Sequence, residues 1–309
     1  MKDKLRLLVT GATGLVGSSF VHQNAHNFNI LTAGRNNADI KLDLLQKEQI
    51  IRIVTKLKID VVINFAAFTH VDEAQKQNND KSGDVYALNT LAPYYLAKAC
   101  VLSAKKLYQI STDYVFDGKN EDNPYTEEDQ PCPLNSWYSK TKFFAEQKIM
   151  DVFKGKNSYV IIRISNPYSP KFNKKLDIVR AILDTLTKNQ PYLAPCDQKI
   201  KPTSVFEIAG AIKLLLMSEA SGIYNVAGEF NDSFITPYQF AQKIARFFNF
   251  DTSLIYKTTF ERFSTTRKAP RPKNSWLDTS KIKAQGMNFL SFEENLRIFK
   301  NDYKATQDI

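Results

Sequence analysis

Residues 5–10 are almost continuously apolar and run directly into glycines, the pattern of a strand buried on both faces. Apolar positions then recur at helical spacing over 16–25, and a second strand-like run covers 29–33. The alternation continues with helical spacing over 44–57, a nearly unbroken apolar run at 60–67, and a long helix over 85–104. A strand at 106–111, a helix over 138–153 and a strand at 159–164 follow. Doubly buried strands separated by helices predict an α/β fold, a parallel sheet covered on both sides. Beyond Pro167 the rhythm changes to a turn-rich stretch and a helix over 178–186. A helix over 205–217 and a strand over 222–227 look like a return to the first domain. The stretch 263–278, rich in Ser, Thr, Pro and Arg, is predicted to be irregular and too polar for a core. The expected organisation is a domain of residues 1–168, rejoined by 197–230, with a smaller lobe from 169–196 and 231–309.

Composition narrows this reading. The chain has 309 residues, of which 43% are hydrophobic, enough for a real core. Three cysteines (Cys100, Cys132, Cys196) make no disulfide framework and no CxxC pair, and three histidines argue against a metal centre. No apolar run approaches a membrane span and no secretory segment precedes the first strand, so a soluble, cytoplasmic protein is expected. The formal charge of +10 points toward anionic partners. Because the lysines are spread along the chain and often stand beside acids, an anionic small molecule fits this balance better than nucleic acid.

The candidate chemistry begins at Gly11-Ala12-Thr13-Gly14-Leu15-Val16-Gly17, between the first strand and the first helix. Gly11 permits the sharp turn, Gly14 lets backbone approach a pyrophosphate, and Gly17 permits close helix packing. With Thr13, Leu15 and Val16 they form the cradle of a dinucleotide at a helix N-terminus. The larger domain is therefore read as Rossmann-like, a doubly wound dinucleotide-binding domain, and the smaller lobe as substrate-binding. The second strand ends in Thr32-Ala33-Gly34-Arg35, with no acid for the ribose 2′-hydroxyl, whereas Arg35 suits a 2′-phosphate. NADPH is expected over NADH, with Asp43 beside the adenine. Ala66 and Ala67 are small enough to let backbone pass close to the cofactor. Asn89, an amide amid apolar helix positions, either supports an active-site lysine or ties neighbouring elements together.

Two further segments converge on this site. Thr112 ends a long strand, and Tyr138 and Lys142 are four apart on one helical face. An ammonium beside a phenol lowers its pKa from about 10, and a strand-end hydroxyl can help hold a carbonyl oxygen. Thr112, Tyr138 and Lys142 are the candidate catalytic residues.

These segments resemble the extended short-chain dehydrogenases/reductases, and within them the dTDP-4-dehydrorhamnose reductase family. The resemblance rests on GATGLVG (11–17), NFAAFTHVDEAQ (64–75), LNTLAP (88–93), STDYVFDG (111–118), YSKTK (138–142), DQKIKPT (197–203), GIYNVAG (222–228) and RPKNSWLDTSK (271–281). It implies reduction of a nucleotide-linked 4-keto-6-deoxysugar, with hydride delivered to C4 and the tyrosine supplying the proton. It also implies substrate contacts for Asp113, Tyr114, Asn166, Arg271 and the Pro202-Thr203 pair between the lobes. The chain departs from the family pattern where Asn166-Pro167 stands in place of an aromatic wall, and at Phe172-Asn173. The approach to the tyrosine is one residue longer at Ser136. Ser18 and Ser19 stand where some relatives carry an acid associated with a metal-bridged dimer, so a homodimer stays open and no metal is expected. A sugar-nucleotide epimerase or dehydratase is the alternative within the superfamily. From another class, the alternative is a cofactor-binding regulatory subunit like that of methionine adenosyltransferase.

Overall fold

Leu7, Leu8 and Val9 are all fully buried, as expected of a strand covered on both faces. The computed structural model describes residues 4–171 and 175–307, so Phe172 and Asn173 lie outside the described residues. The strands are β1 (Arg6–Thr10), β2 (Asn29–Gly34), β3 (Ile40–Lys41), β4 (Val61–Asn64), β5 (Lys106–Thr112), β6 (Tyr159–Ile164), β7 (Pro167–Tyr168), β8 (Tyr192–Pro195), β9 (Thr203–Ser204), β10 (Gly222–Val226) and β11 (Ile255–Thr258). Seven of them form one parallel sheet in the order β10-β6-β5-β4-β1-β2-β3. The order reverses direction between β1 and β4, and in doubly wound sheets ligands bind beyond the strand C-termini at such a point.

Each face of the sheet has its own core. On one, Leu7, Val9, Phe20, Ile162 and Ile212 pack together, with the helices Leu15–Asn24 and Val205–Met217 against them. On the other, Leu8, Val62, Leu96, Leu107 and Ile149 pack beneath the helices Ala92–Leu102 and Trp137–Val152. A third cluster, including Tyr168, Ile182, Phe240, Ile244 and Phe299, joins the helices Ile178–Thr187, Pro237–Phe247 and Phe292–Gln307. Asp177 caps the first of these, and a Thr236–Gln239 capping box starts the second. Within 231–309, Ile282 packs into the sheet core and Leu277 beside Val115 and Ala227, so this segment serves both parts of the molecule.

Several elements differ from expectation for identifiable reasons. The second helix starts at Lys47 rather than near 44, because Asp43 Oδ1 accepts from Leu45 N at 3.0 Å and closes a turn there. β4 stops at Asn64, and the following residues turn toward β1, Phe65 N donating to Thr10 O at 3.1 Å. The long helix opens as Asp84–Tyr86, widens to a π turn at Ala87–Leu91 and continues as Ala92–Leu102. Pro93 has no N–H for the carbonyl of Asn89, and Ala92 N instead donates back to Ala87 O.

Beyond Ser264 the stretch 263–278 is irregular as expected, but the expectation that it is too polar for a core is corrected. Ala269, Asn274, Ser275, Trp276 and Leu277 are buried. Most of their polarity is paired: Asn274 N donates to Gly118 O at 3.0 Å, Tyr125 N to Trp276 O at 2.9 Å, and the Ser275 hydroxyl to Asp113 at 2.7 Å, whereas the buried Trp276 indole N–H has no hydrogen-bond partner among the described residues.

Candidate active site

A cleft of about 1080 Å³ opens at the C-terminal ends of the sheet strands, where the strand order reverses. Its floor is the turn from Gly11 to Gly17. Gly11 has a φ of +68°, and a Cβ there would stand 2.5 Å from Ala66 N; a Cβ on Gly17 would stand 2.3 Å from Gly11 O. No side chain fits at either position without moving backbone. Gly14 stands at the N-cap of helix Leu15–Asn24 with no side-chain cap and no acid in the first turn, so the N–H groups there face the cleft uncompensated. The cradle therefore fits a pyrophosphate on chemical grounds.

At the tip of β2, Arg35 is exposed and lines the cleft with Asp43. The nearest acid after that tip, Asp39, faces elsewhere: Thr32 donates to Asp39 Oδ2 through N at 2.9 Å and Oγ1 at 2.8 Å, holding its carboxyl below the usual range. Ala66 and Ala67 form the adjoining wall.

Thr112, Asp113, Tyr114, Tyr138, Lys142 and Asn166 all line the same cleft. The rings of Tyr114 and Tyr138 meet edge to face, centroids 6.1 Å apart. Burial pushes the Tyr138 phenol up, nearby Asp113 and Tyr114 adding to the effect and the Thr112 hydroxyl opposing it. Lys142 is buried, its Nζ donating to Ile110 O at 2.7 Å. Burial brings its ammonium down to about 8, with Glu146 acting in the opposite sense. In the structure burial dominates the phenol, and the Lys142 ammonium is turned to a backbone carbonyl.

Asp113 is buried beneath the cleft and accepts from three hydroxyls: Thr112 at 3.0 Å, Ser165 at 2.9 Å and Ser275 at 2.7 Å. Desolvation nevertheless raises it to about 6. Asn166 adopts a φ of +40° immediately before Pro167, and its carbonyl accepts from Thr203 N at 3.3 Å. Four expected contact positions, Asn89, Pro202, Thr203 and Arg271, lie outside the lining. Asn89 accepts from Phe68 N at 2.7 Å and donates to Phe68 O at 3.1 Å and to Thr141 Oγ1 at 3.2 Å, which ties the loop after β4 to the helix of Tyr138. Thr203 is fully buried, its hydroxyl reaching Ser165 O at 2.8 Å and accepting from Gly228 N at 3.1 Å. Pro202 packs its carbonyl against Gly228, where a Cβ would come within 2.2 Å. Arg271 pairs with Asp72 at 2.9 Å and donates to Ala269 O at 2.8 Å. These side chains are engaged in holding the chain together.

One group of residues was missed from the sequence. Thr10, Asn64 and Gln109 stand in register on β1, β4 and β5. Thr10 donates to Asn64 Oδ1, Asn64 to Gln109 Oε1 at 2.8 Å, and Gln109 to Ile110 O at 2.7 Å, the carbonyl that Lys142 also uses. Beside this row, Glu146 pairs with Arg163. The available signal was polar residues two positions after Leu8, Val62, Leu107 and Ile161, at the C-terminal ends of otherwise apolar strands.

Residues 5–305 match the family model described as RmlD substrate binding domain. The chain belongs to this family. Among similar proteins, a probable low-salt glycan biosynthesis reductase of Haloferax volcanii is 28% identical over 96% of this chain and 99% of its own. The beta subunit of methionine adenosyltransferase 2 from Rattus norvegicus is 31% identical over 91% of this chain and 83% of its own. A Bacillus anthracis dTDP-4-dehydrorhamnose reductase solved in complex with NADP superposes with a TM-score of 0.84. It is 26% identical and covers 97% of this chain and 99% of that one.

Proposed function

We propose that this protein is an NADPH-dependent reductase of a nucleotide-linked 4-keto-6-deoxysugar. The observation that carries the reading is the convergence of Thr112, Tyr138 and Lys142 in the same cleft as the glycine turn. A bound nicotinamide dinucleotide supplies the hydride. The Gly11–Gly17 turn holds its pyrophosphate, and Arg35 takes the 2′-phosphate because the acid that follows it in the chain, Asp39, is committed to Thr32. Tyr138 remains a protonated donor because burial raises its phenol. It gives that proton to the ketone oxygen as negative charge develops there. Thr112 turns its rotatable hydroxyl from Asp113 to the same oxygen, and Lys142 stabilises the phenolate left behind. Asp113, Tyr114 and Asn166 form the sugar side of the site. Residues 169–196 and 231–309 supply most of the substrate-facing lobe.

A second reading, a cofactor-binding subunit without turnover, draws support from the similarity to the methionine adenosyltransferase beta subunit. Oxidation of NADPH by the purified protein against a panel of nucleotide-linked 4-keto-6-deoxysugars separates the two. Turnover with one of the panel is expected. Tight cofactor binding without oxidation on any ketosugar would favour the subunit.

A further inference from the structure

Tyr138, Lys142 and Glu146 follow one another at intervals of four along helix Trp137–Val152, so they form one stripe of the helix. The first two line the cleft. Glu146 lies below it, with no exposed surface, and plays no part in the proton step. Its carboxyl group is nonetheless surrounded by polar partners. Arg163, 1% exposed, reaches Glu146 with Nε at 3.2 Å and Nη2 at 2.8 Å. The Ser111 hydroxyl donates to Glu146 Oε1, the oxygen that Nε also reaches. Arg163 in turn lies over the Phe116 ring at 5.0 Å, and its Nη1 has no hydrogen-bond partner among the described residues. A carboxylate and a guanidinium sealed in a core are expensive to bury, and an apolar pair of similar size commonly replaces them without loss.

The same strand residues fasten both ends of this arrangement. Lys142 donates to Ile110 O at 2.7 Å and Glu146 accepts from the adjacent Ser111, so the helix is fixed to β5 at two successive positions. Around the lysine, Tyr138 and Glu146 lie on its own helix, Asp113 and Tyr114 line the same cleft from the turn after β5, and Arg163 reaches Glu146 from β6. Of these, Glu146 is the acid paired with a cation at contact distance.

We propose that Glu146 is a positioning residue for Lys142, a fixed counter-charge one helical turn below the amine that keeps an ammonium at the cleft floor. The proposal rests on the reading of this cleft as a reductase site, where a cation must face the phenolate. It agrees with the direction in which Glu146 acts on the lysine against burial.

Glu146→Gln alone would strand Arg163 in the core, so the test uses Glu146→Gln combined with Arg163→Met, which removes both charges and leaves net charge unchanged. Protein labelled with ¹³C at lysine Cε is titrated by NMR, and the Lys142 signal is assigned by its loss in Lys142→Met. In the double variant the Lys142 midpoint should fall by about one pH unit or more, a tenfold change in its acid constant. In Glu146→Asp, which keeps the charge, it should stay with the wild type. A folded double variant whose midpoint lies within 0.3 unit of wild type would overturn the proposal. The limb of the turnover–pH profile that reports Lys142 should move with the NMR midpoint. Should the wild type reduce no ketosugar, the reading of the cleft fails, while the NMR titration still decides the role of Glu146.

Discussion

Arg35 and Asp39 show how a single residue's partners decide a binding preference. Both follow β2, yet Thr32 draws the Asp39 carboxylate away through two hydrogen bonds, while Arg35 lines the cleft at the tip of the strand. Replacing Arg35 with Ala should weaken NADPH by about 1.5–3 kcal/mol, the scale of a charge-assisted hydrogen bond. NADH affinity should stay nearly constant. Isothermal titration of both cofactors reads this directly, and equal losses for the two would remove Arg35 from the 2′-phosphate. Lys142 is held differently, by burial and by the Ile110 carbonyl. Its change to Met should reduce turnover and NADPH affinity together, a pairing that steady-state kinetics and titration on the same preparation would reveal.

At the scale of elements, the central strands were legible because burial on both faces writes a continuous apolar run into the sequence. β5 and β6 follow that run closely. The glycine turn was legible for a local reason, since the space at Gly11 and Gly17 admits no side chain. The π turn at Ala87–Leu91 was not. It combines the missing N–H of Pro93 with an amide, Asn89, whose partners Phe68 and Thr141 lie far away in the chain. The buried stretch around Ser275 escaped for a related reason, because polar atoms in it are satisfied by Asp113 and Gly118, which composition cannot show. Arg271 was expected at the substrate and is instead tied to Asp72. If the π turn positions the loop carrying Ala66 and Ala67, Asn89→Ala should cost about 2–3 kcal/mol of stability. It should also weaken NADPH binding. Urea unfolding would show the loss as a lower midpoint at constant slope, and a change below 0.5 kcal/mol would deny Asn89 that role.

Across the whole molecule, Glu207 links the helix Val205–Met217 to the C-terminal part of the chain. Its Oε1 accepts from Leu290 N at 2.9 Å, while its other oxygen is buried without a hydrogen-bond partner among the described residues. Burial raises its carboxyl from 4.5 to about 7. Between those values the folded protein binds more protons than the unfolded chain, so stability falls as pH rises through that window. Asp113, raised to about 6, acts in the same sense but is common to wild type and variant. Glu207→Gln should therefore gain stability relative to wild type between pH 5 and pH 8, by about 2 kcal/mol. Denaturant unfolding at the two pH values measures the difference. A constant offset would show that Glu207 does not titrate in this window.

The most direct test of the reductase assignment is single-turnover hydride transfer at saturating NADPH and nucleotide-linked 4-keto-6-deoxysugar, comparing wild type with Tyr138→Phe. The substitution preserves the ring against Tyr114 and removes the proton. With folding and NADPH affinity unchanged, the rate should drop by roughly 10²–10⁴-fold, the scale of a positioned general acid. A folded variant transferring hydride within fivefold of wild type would contradict the assignment and require another proton donor in the cleft.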